Sequence, residues 1–226
     1  MNTRSFDLPR RASTRAALVL AAVAIGLTAF AGSASANFTL NTGTLRLENG
    51  SSSGTPPSGG SWVTLPTDDP SAVPNVFRNT TTTAASTDYT LIDGTAAGVG
   101  LRLGVAQPGG GIFGPLTTFN GVPFSGHTLS APTFTFAGND SDTGTRPLTA
   151  GELNLRITYN GATYNVATTK TGGGTRVVPL AGSITGNATG TGARITLDWT
   201  TDLDEPGFSP YTAHFHFEGL YSPHTP

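Results

Sequence analysis

Cysteine is missing altogether from the 226 residues. Its absence removes disulfide staples, thiolate metal ligands and a cysteine nucleophile together. Charge is scarce as well. Only 12% of the side chains are Asp, Glu, Lys or Arg, too few for a disordered chain held open by its own solvation. Catalytic signatures are equally thin: there is no Gly-x-Ser-x-Gly elbow and no His-Glu-x-x-His pair. Gly109-Gly110-Gly111 has neither the lysine nor the strand-to-helix setting of a phosphate loop. Ser125 precedes His127 closely, but no buried acid can be assigned to orient the pair. What the chain has in quantity is glycine, with 30 residues, and proline, with 16, alongside abundant threonine. That is the composition of many short strands joined by turns.

The N-terminal stretch differs from everything after it. Arg4, Arg10, Arg11 and Arg15 face a single acid, Asp7, and an apolar run from Ala16 to Phe30 follows. At about 15 residues this run falls short of the roughly 20 that cross a bilayer as a helix. Ala34-Ser35-Ala36 places small residues where a signal peptidase reads. Residues 1–36 are therefore expected to be a signal peptide cut after Ala36, with residues 37–226 a single secreted domain. Arg10-Arg11 admits twin-arginine export, but Ala12 and Ser13 stand where a bulky apolar pair belongs, which favours the general secretory route. Without the leader, eight basic side chains face thirteen acidic ones, and the net charge moves from -2 to -5. No basic stripe remains to neutralise phosphates, so neither nucleic acid nor an anionic membrane is an expected partner. No integral membrane segment is expected after cleavage.

The body reads as all-β. Apolar and polar residues alternate in Thr44 to Glu48 and again from Leu153 to Tyr159, the period of a strand with one face in a core. Asn160-Gly161 is a two-residue hairpin signal, with Tyr164 and Val166 on the return strand. Pro108 to Gly126 carries Ile112, Phe113, Leu116 and Phe119 among glycines and prolines, and is expected to pack as a flap over a sheet edge. The clearest alternation is the terminal hairpin from Gly192 to Tyr221. Ile195, Leu197 and Trp199 alternate with Arg194, Thr196, Asp198 and Thr200, and Tyr211, Ala213, Phe215 and Phe217 alternate with Thr212, His214, His216 and Glu218. About ten strands without crossover helices predict an antiparallel β-sandwich, jelly-roll or barrel-like. The polar turn from Gly138 to Pro147 is the one place where two smaller sandwiches could divide.

The hairpin also carries the main candidate site. Pairing that puts both apolar sets on one face admits a register in which Leu197 faces Phe215 and Ile195 faces Phe217. On the outer face Arg194 then meets Glu218, Asp198 meets His214 and Thr196 meets His216. His214-x-His216-x-Glu218 projects three potential ligands from one strand, with Asp198 beside them, and paired imidazoles at this spacing suit zinc or another first-row metal. Neighbouring same-face residues are about 7 Å apart, so Glu218 reaches a shared ion less easily than the two imidazoles. The alternative is a solvated face of cross-strand pairs worth about 0.2–1 kcal/mol each. His127 joins only if the fold brings it round. Asp140 and Asp142 before Gly144 look like the start of a calcium loop, but Glu152 falls one position late to close it. Asp202, Asp204 and Glu205 form a second acidic turn. No cofactor is expected beyond such a divalent metal, zinc or calcium.

Trp62, Tyr159, Tyr164, Tyr211 and Tyr221 are candidate platforms for stacking a glycan or other cell-surface polymer, with Tyr211 and Trp199 discounted because they point inward. Thr44-Leu45-Arg46-Leu47-Glu48-Asn49-Gly50-Ser51-Ser52-Ser53-Gly54, with Leu197-Asp198-Trp199 and His216-Phe217-Glu218-Gly219, resembles a group of exported Gram-positive bacterial proteins of unassigned function. The likeness implies a secreted β domain and brings no catalytic residues. Three readings follow: a secreted non-enzymatic domain, structural or binding; a metal-dependent protein with a His-x-His site; and a β-barrel pore, which needs apolar faces toward lipid where threonine and glycine dominate.

Overall fold

Alternation becomes strand pairing throughout the structure, a computed structural model describing residues 36–51, 59–64, 90–94, 97–119, 122–168, 178–202 and 212–223. By its contacts the chain divides into Met1–Ser35, outside the described residues, and Ala36–Pro226. The described residues contain no helix. They form fourteen strands, more than the expected ten because several are two-residue pieces.

In chain order these are β1 (Asn37–Leu40), β2 (Thr44–Leu47), β3 (Trp62–Thr64), β4 (Thr90–Leu91), β5 (Leu101–Arg102), β6 (Thr118–Phe119) and β7 (Val122–Thr128). There follow β8 (Thr133–Ala137), β9 (Thr145–Glu152), β10 (Leu155–Tyr159), β11 (Ala162–Asn165), β12 (Val178–Thr185), β13 (Ala193–Asp202) and β14 (Thr212–Ser222). A ten-stranded sheet runs β1-β8-β9-β12-β13-β14-β2-β5, with β3 also on β14 and β4 on β3; a four-stranded sheet runs β11-β10-β7-β6. All these pairings are antiparallel. The protein is an all-β, antiparallel, sandwich-like fold, as the alternation predicts.

One core joins the two sheets. Trp199, Phe215 and Phe217 from the large sheet and Phe124, Leu155 and Ile157 from the small one are all at most 2% exposed. Trp199 lies flat on Phe215 at 4.8 Å and meets Phe217 edge-on at 4.9 Å, and its indole N–H donates to the Val166 carbonyl at 2.9 Å. Phe113 bridges the layers, stacked on Phe124 at 5.7 Å and edge-on to Phe217 at 5.8 Å. The loop expected to act as a flap therefore does pack, but unevenly. Ile112 and Phe113 enter the core while Leu116 stands 78% exposed. Thr117 Oγ1 accepts from the Asp93 N–H at 2.8 Å and fastens the loop from behind.

Asn160 and Gly161 both adopt positive φ, 48° and 78°, and the flanking pair Tyr159↔Ala162 closes the hairpin as the dipeptide predicts. The segment 80–87, the acidic turn beyond Asp202 and Tyr211 lie outside the described residues.

The terminal register needs correcting. Its parity holds, with Leu197 and Phe217, and Trp199 and Phe215, turned to one side, but it is displaced by two residues: Leu197 faces Phe217, Ile195 faces Gly219 and Asp198 faces His216. The expected register would set Trp199 against Ala213. The observed one lays the two largest rings of the ribbon on each other, worth about 0.5–1.5 kcal/mol beyond their burial. Alternation fixes which face a residue takes, and aromatic pairing chooses among registers that satisfy it.

Candidate functional site

The outer face of β13 and β14 bears Thr196, Asp198 and Thr200 beside His214, His216 and Glu218. Asp198 Oδ1 lies 2.8 Å from His216 Nδ1 and 3.4 Å from His214 Nε2. Both imidazoles thus converge on one carboxylate oxygen, one by direct pairing and one across the diagonal. Strand β3 adds a residue that the sequence did not place here. Trp62 pairs with His216, stacks on its ring at 5.1 Å and meets His214 edge-on at 4.9 Å. It is 5% exposed, so it serves as a wall for the imidazoles and not as an open stacking platform.

Glu218 belongs to a second, adjoining cluster. Its Oε1 receives Arg194 Nη1 at 2.5 Å, and its Oε2 accepts the Gly60 N–H at 2.8 Å. Arg194 also reaches Glu48, with Nη2 to Oε1 at 2.9 Å. The Arg194–Glu218 pair expected from direct opposition survives as a diagonal, because Thr196 and not Arg194 faces Glu218. Glu48 escaped the sequence reading because nothing in the alternation says that β2 lies beside β14. Ser61 stitches the same corner, donating its hydroxyl to the Glu218 carbonyl and accepting the Glu218 N–H.

The electrostatics follow from these contacts. Burial raises the Asp198 pKa, but the hydrogen bonds from His214 and His216, reinforced by the charge of both imidazoles, together outweigh it and hold the carboxyl well below the usual range. For Glu218 burial likewise acts upward, and the Gly60 N–H and Arg194 bring the carboxyl below its ordinary value. Hydrogen bonds to Glu48 and Glu218 raise Arg194.

A group with a lowered folded pKa contributes stability that is present above its unfolded value, about 3.9 for Asp, and lost as pH falls toward the folded one. Asp198 is 40% exposed, and solvent screening holds this contribution to about 1 kcal/mol or less. Asp198→Asn is therefore expected to lower the urea midpoint at pH 5, by a difference that shrinks progressively below about pH 4. A difference independent of pH down to 2.5 (about one unit below the ordinary range) would sink this account.

The remaining candidates separate. His127 lies on β7 in the small sheet, opposite Arg156, and does not join His214 and His216; burial and then the Arg156 charge lower its pKa. Asp142 spends its carboxylate on the Asn139 N–H at 2.7 Å, closing its own turn, and the Asp140 carbonyl accepts from Ala188 N. Among the described residues no group of three His, Asp or Glu side chains is placed to hold a metal ion. Tyr221 is 2% exposed and donates to the Thr42 carbonyl, while Tyr159 and Tyr164 pack against the core. Tyr159, Tyr164 and Tyr221 are thus turned largely inward, because each lies on the core side of its strand, whereas Trp62 is on the outer face and is covered there by the two imidazoles. Among the described residues no helix is long and apolar enough to cross a membrane. Comparison with protein families, curated proteins and solved structures found no match.

Proposed function

We propose that this chain is an exported, non-enzymatic β-sandwich protein that acts by structure or by binding at the cell envelope or in the medium. The observation that carries the reading is the mutual satisfaction of the polar groups on the closing ribbon. Asp198 is engaged by two imidazoles, Glu218 by Arg194 and the Gly60 N–H, and Trp62 walls the imidazoles. Side chains tied to one another in this way, on an outward strand face, rigidify a surface; a general base or nucleophile needs a free partner. The polar outward positions of β13 and β14 favour water over lipid as the surrounding medium, against the pore. The likeness to exported Gram-positive proteins belongs to the same proposal.

A test is expression of the full chain with its own leader in a Gram-positive host. The expected product begins at Asn37 by mass spectrometry and appears in the wall or medium fraction. An intact chain retained in the cytosol overturns export. Sedimentation of the product with insoluble peptidoglycan separates a binding role from a purely structural one.

One observation favours a second reading. His216 Nδ1 and His214 Nε2 approach the same Asp198 oxygen, and a first-row metal could replace that hydrogen-bonded centre after a small rearrangement. Elemental analysis of the purified protein decides: stoichiometric metal that disappears in a His214→Ala/His216→Ala variant establishes it, and metal-free protein removes it.

A further inference from the structure

The bond expected to be cut on export joins the first residues of the folded sheet. Ala36 supplies its carbonyl to the Gly138 N–H at 2.6 Å, and Asn37 begins β1 opposite Ala137. The next residues deepen the attachment. Phe38 stacks on Phe136 at 5.8 Å with the Arg146 guanidinium 4.9 Å above its ring, Thr39 Oγ1 meets Thr135 Oγ1 at 2.8 Å, and Leu40 is 5% exposed in the core. Arg146 is itself fixed to the Asn139 and Gly186 carbonyls. From its carbonyl onward, the Ala36–Asn37 bond therefore lies in paired backbone.

A peptidase needs the opposite arrangement. It takes its substrate as an unpaired extended segment, and the scissile carbonyl oxygen must turn into the enzyme's own hydrogen-bond donors as the tetrahedral intermediate forms. Cleavage adds water across the amide, leaving a carboxylate on Ala36 and an amine on Asn37. An Ala36 carbonyl already accepting from Gly138 cannot take that place until β1 leaves β8. We infer that docking of β1 onto β8 closes the leader cleavage site, so that processing must precede completion of the large sheet. Because β1 is an edge strand that, among the described strands, pairs with β8 only, local undocking and not global unfolding sets the residual rate.

This rests on the export reading, and the test keeps the two apart. Purified full chain is presented to a bacterial signal peptidase in detergent micelles, once already folded and once diluted from urea directly into the enzyme, with the cut read by mass spectrometry. The expected result is cleavage after Ala36 in both, at least about tenfold slower from the folded protein. A Phe38→Ala/Leu40→Ala full chain, which loosens β1, is expected to be cut faster than wild type when folded and equally fast when freshly diluted, so that any effect of sequence on the enzyme is visible. Equal rates for folded and freshly diluted wild type overturn the inference and leave export standing. Absence of cleavage after Ala36 in either state overturns both.

Discussion

Trp199→Ala is expected to cost about 3–5 kcal/mol and to lower the melting temperature by roughly 10 °C. The indole is 1% exposed and holds three interactions at once: the flat contact with Phe215, the edge contact with Phe217 and the hydrogen bond to the Val166 carbonyl. Truncation leaves a cavity where the two sheets meet and strips a buried carbonyl of its donor, and these penalties add. Trp199→Phe retains a ring against Phe215 but not the donor, so it should fall between the two. Thermal unfolding followed by near-ultraviolet circular dichroism measures both. A shift below about 2 °C for the alanine variant would mean that Trp199 does not join the layers as described.

Gly60→Ala should be comparably severe, at about 3 kcal/mol or more. Gly60 has φ +73°, and a Cβ there would lie 1.9 Å from the Asn49 carbonyl oxygen, so the backbone itself must move. The same residue gives its N–H to Glu218, and movement also releases the carboxylate that Arg194 grips. Its neighbour provides the control. A Cβ on Gly59 would meet nothing nearer than the Glu218 Oε2 at 3.8 Å, and Gly59→Ala is expected to change stability by no more than about 0.5 kcal/mol. Chemical denaturation of the two variants side by side tests the pair, and equal midpoints would show that the Asn49 carbonyl does not constrain this corner.

The residues that the sequence reads well are those whose neighbours are close along the chain. Asn160-Gly161 and the strands beside it follow from turn chemistry and alternation alone, and so do the inward faces of Leu197, Trp199, Phe215 and Phe217. The two-residue displacement of the terminal register did not follow, because alternation is satisfied by every register of the same parity; only the pairing of Trp199 with Phe215 selects one. Trp62 and Glu48 joined the candidate site unannounced for a related reason. Trp62 arrives on β3 and Glu48 directly after β2, both far from β14 in the chain, and strand order depends on contacts that no local pattern encodes. Conversely, Asp140 and Asp142 resemble cation ligands in one dimension, yet the Asn139 N–H takes the Asp142 carboxylate first.

Strand β14 is the last of the described strands in chain order, yet it is the one around which the large sheet is assembled. One of its edges receives β13 from Thr212 to Tyr221, and the other receives β3 and then β2 end to end. Until Thr212–Ser222 is delivered, β13, β2 and β3 each lack one partner and keep only β12, β5 and β4 respectively, so vectorial synthesis cannot join these pieces into one sheet from the N-terminus. A product stalled or clipped before this strand would carry three adhesive backbone edges, and self-association would be the fate its geometry favours.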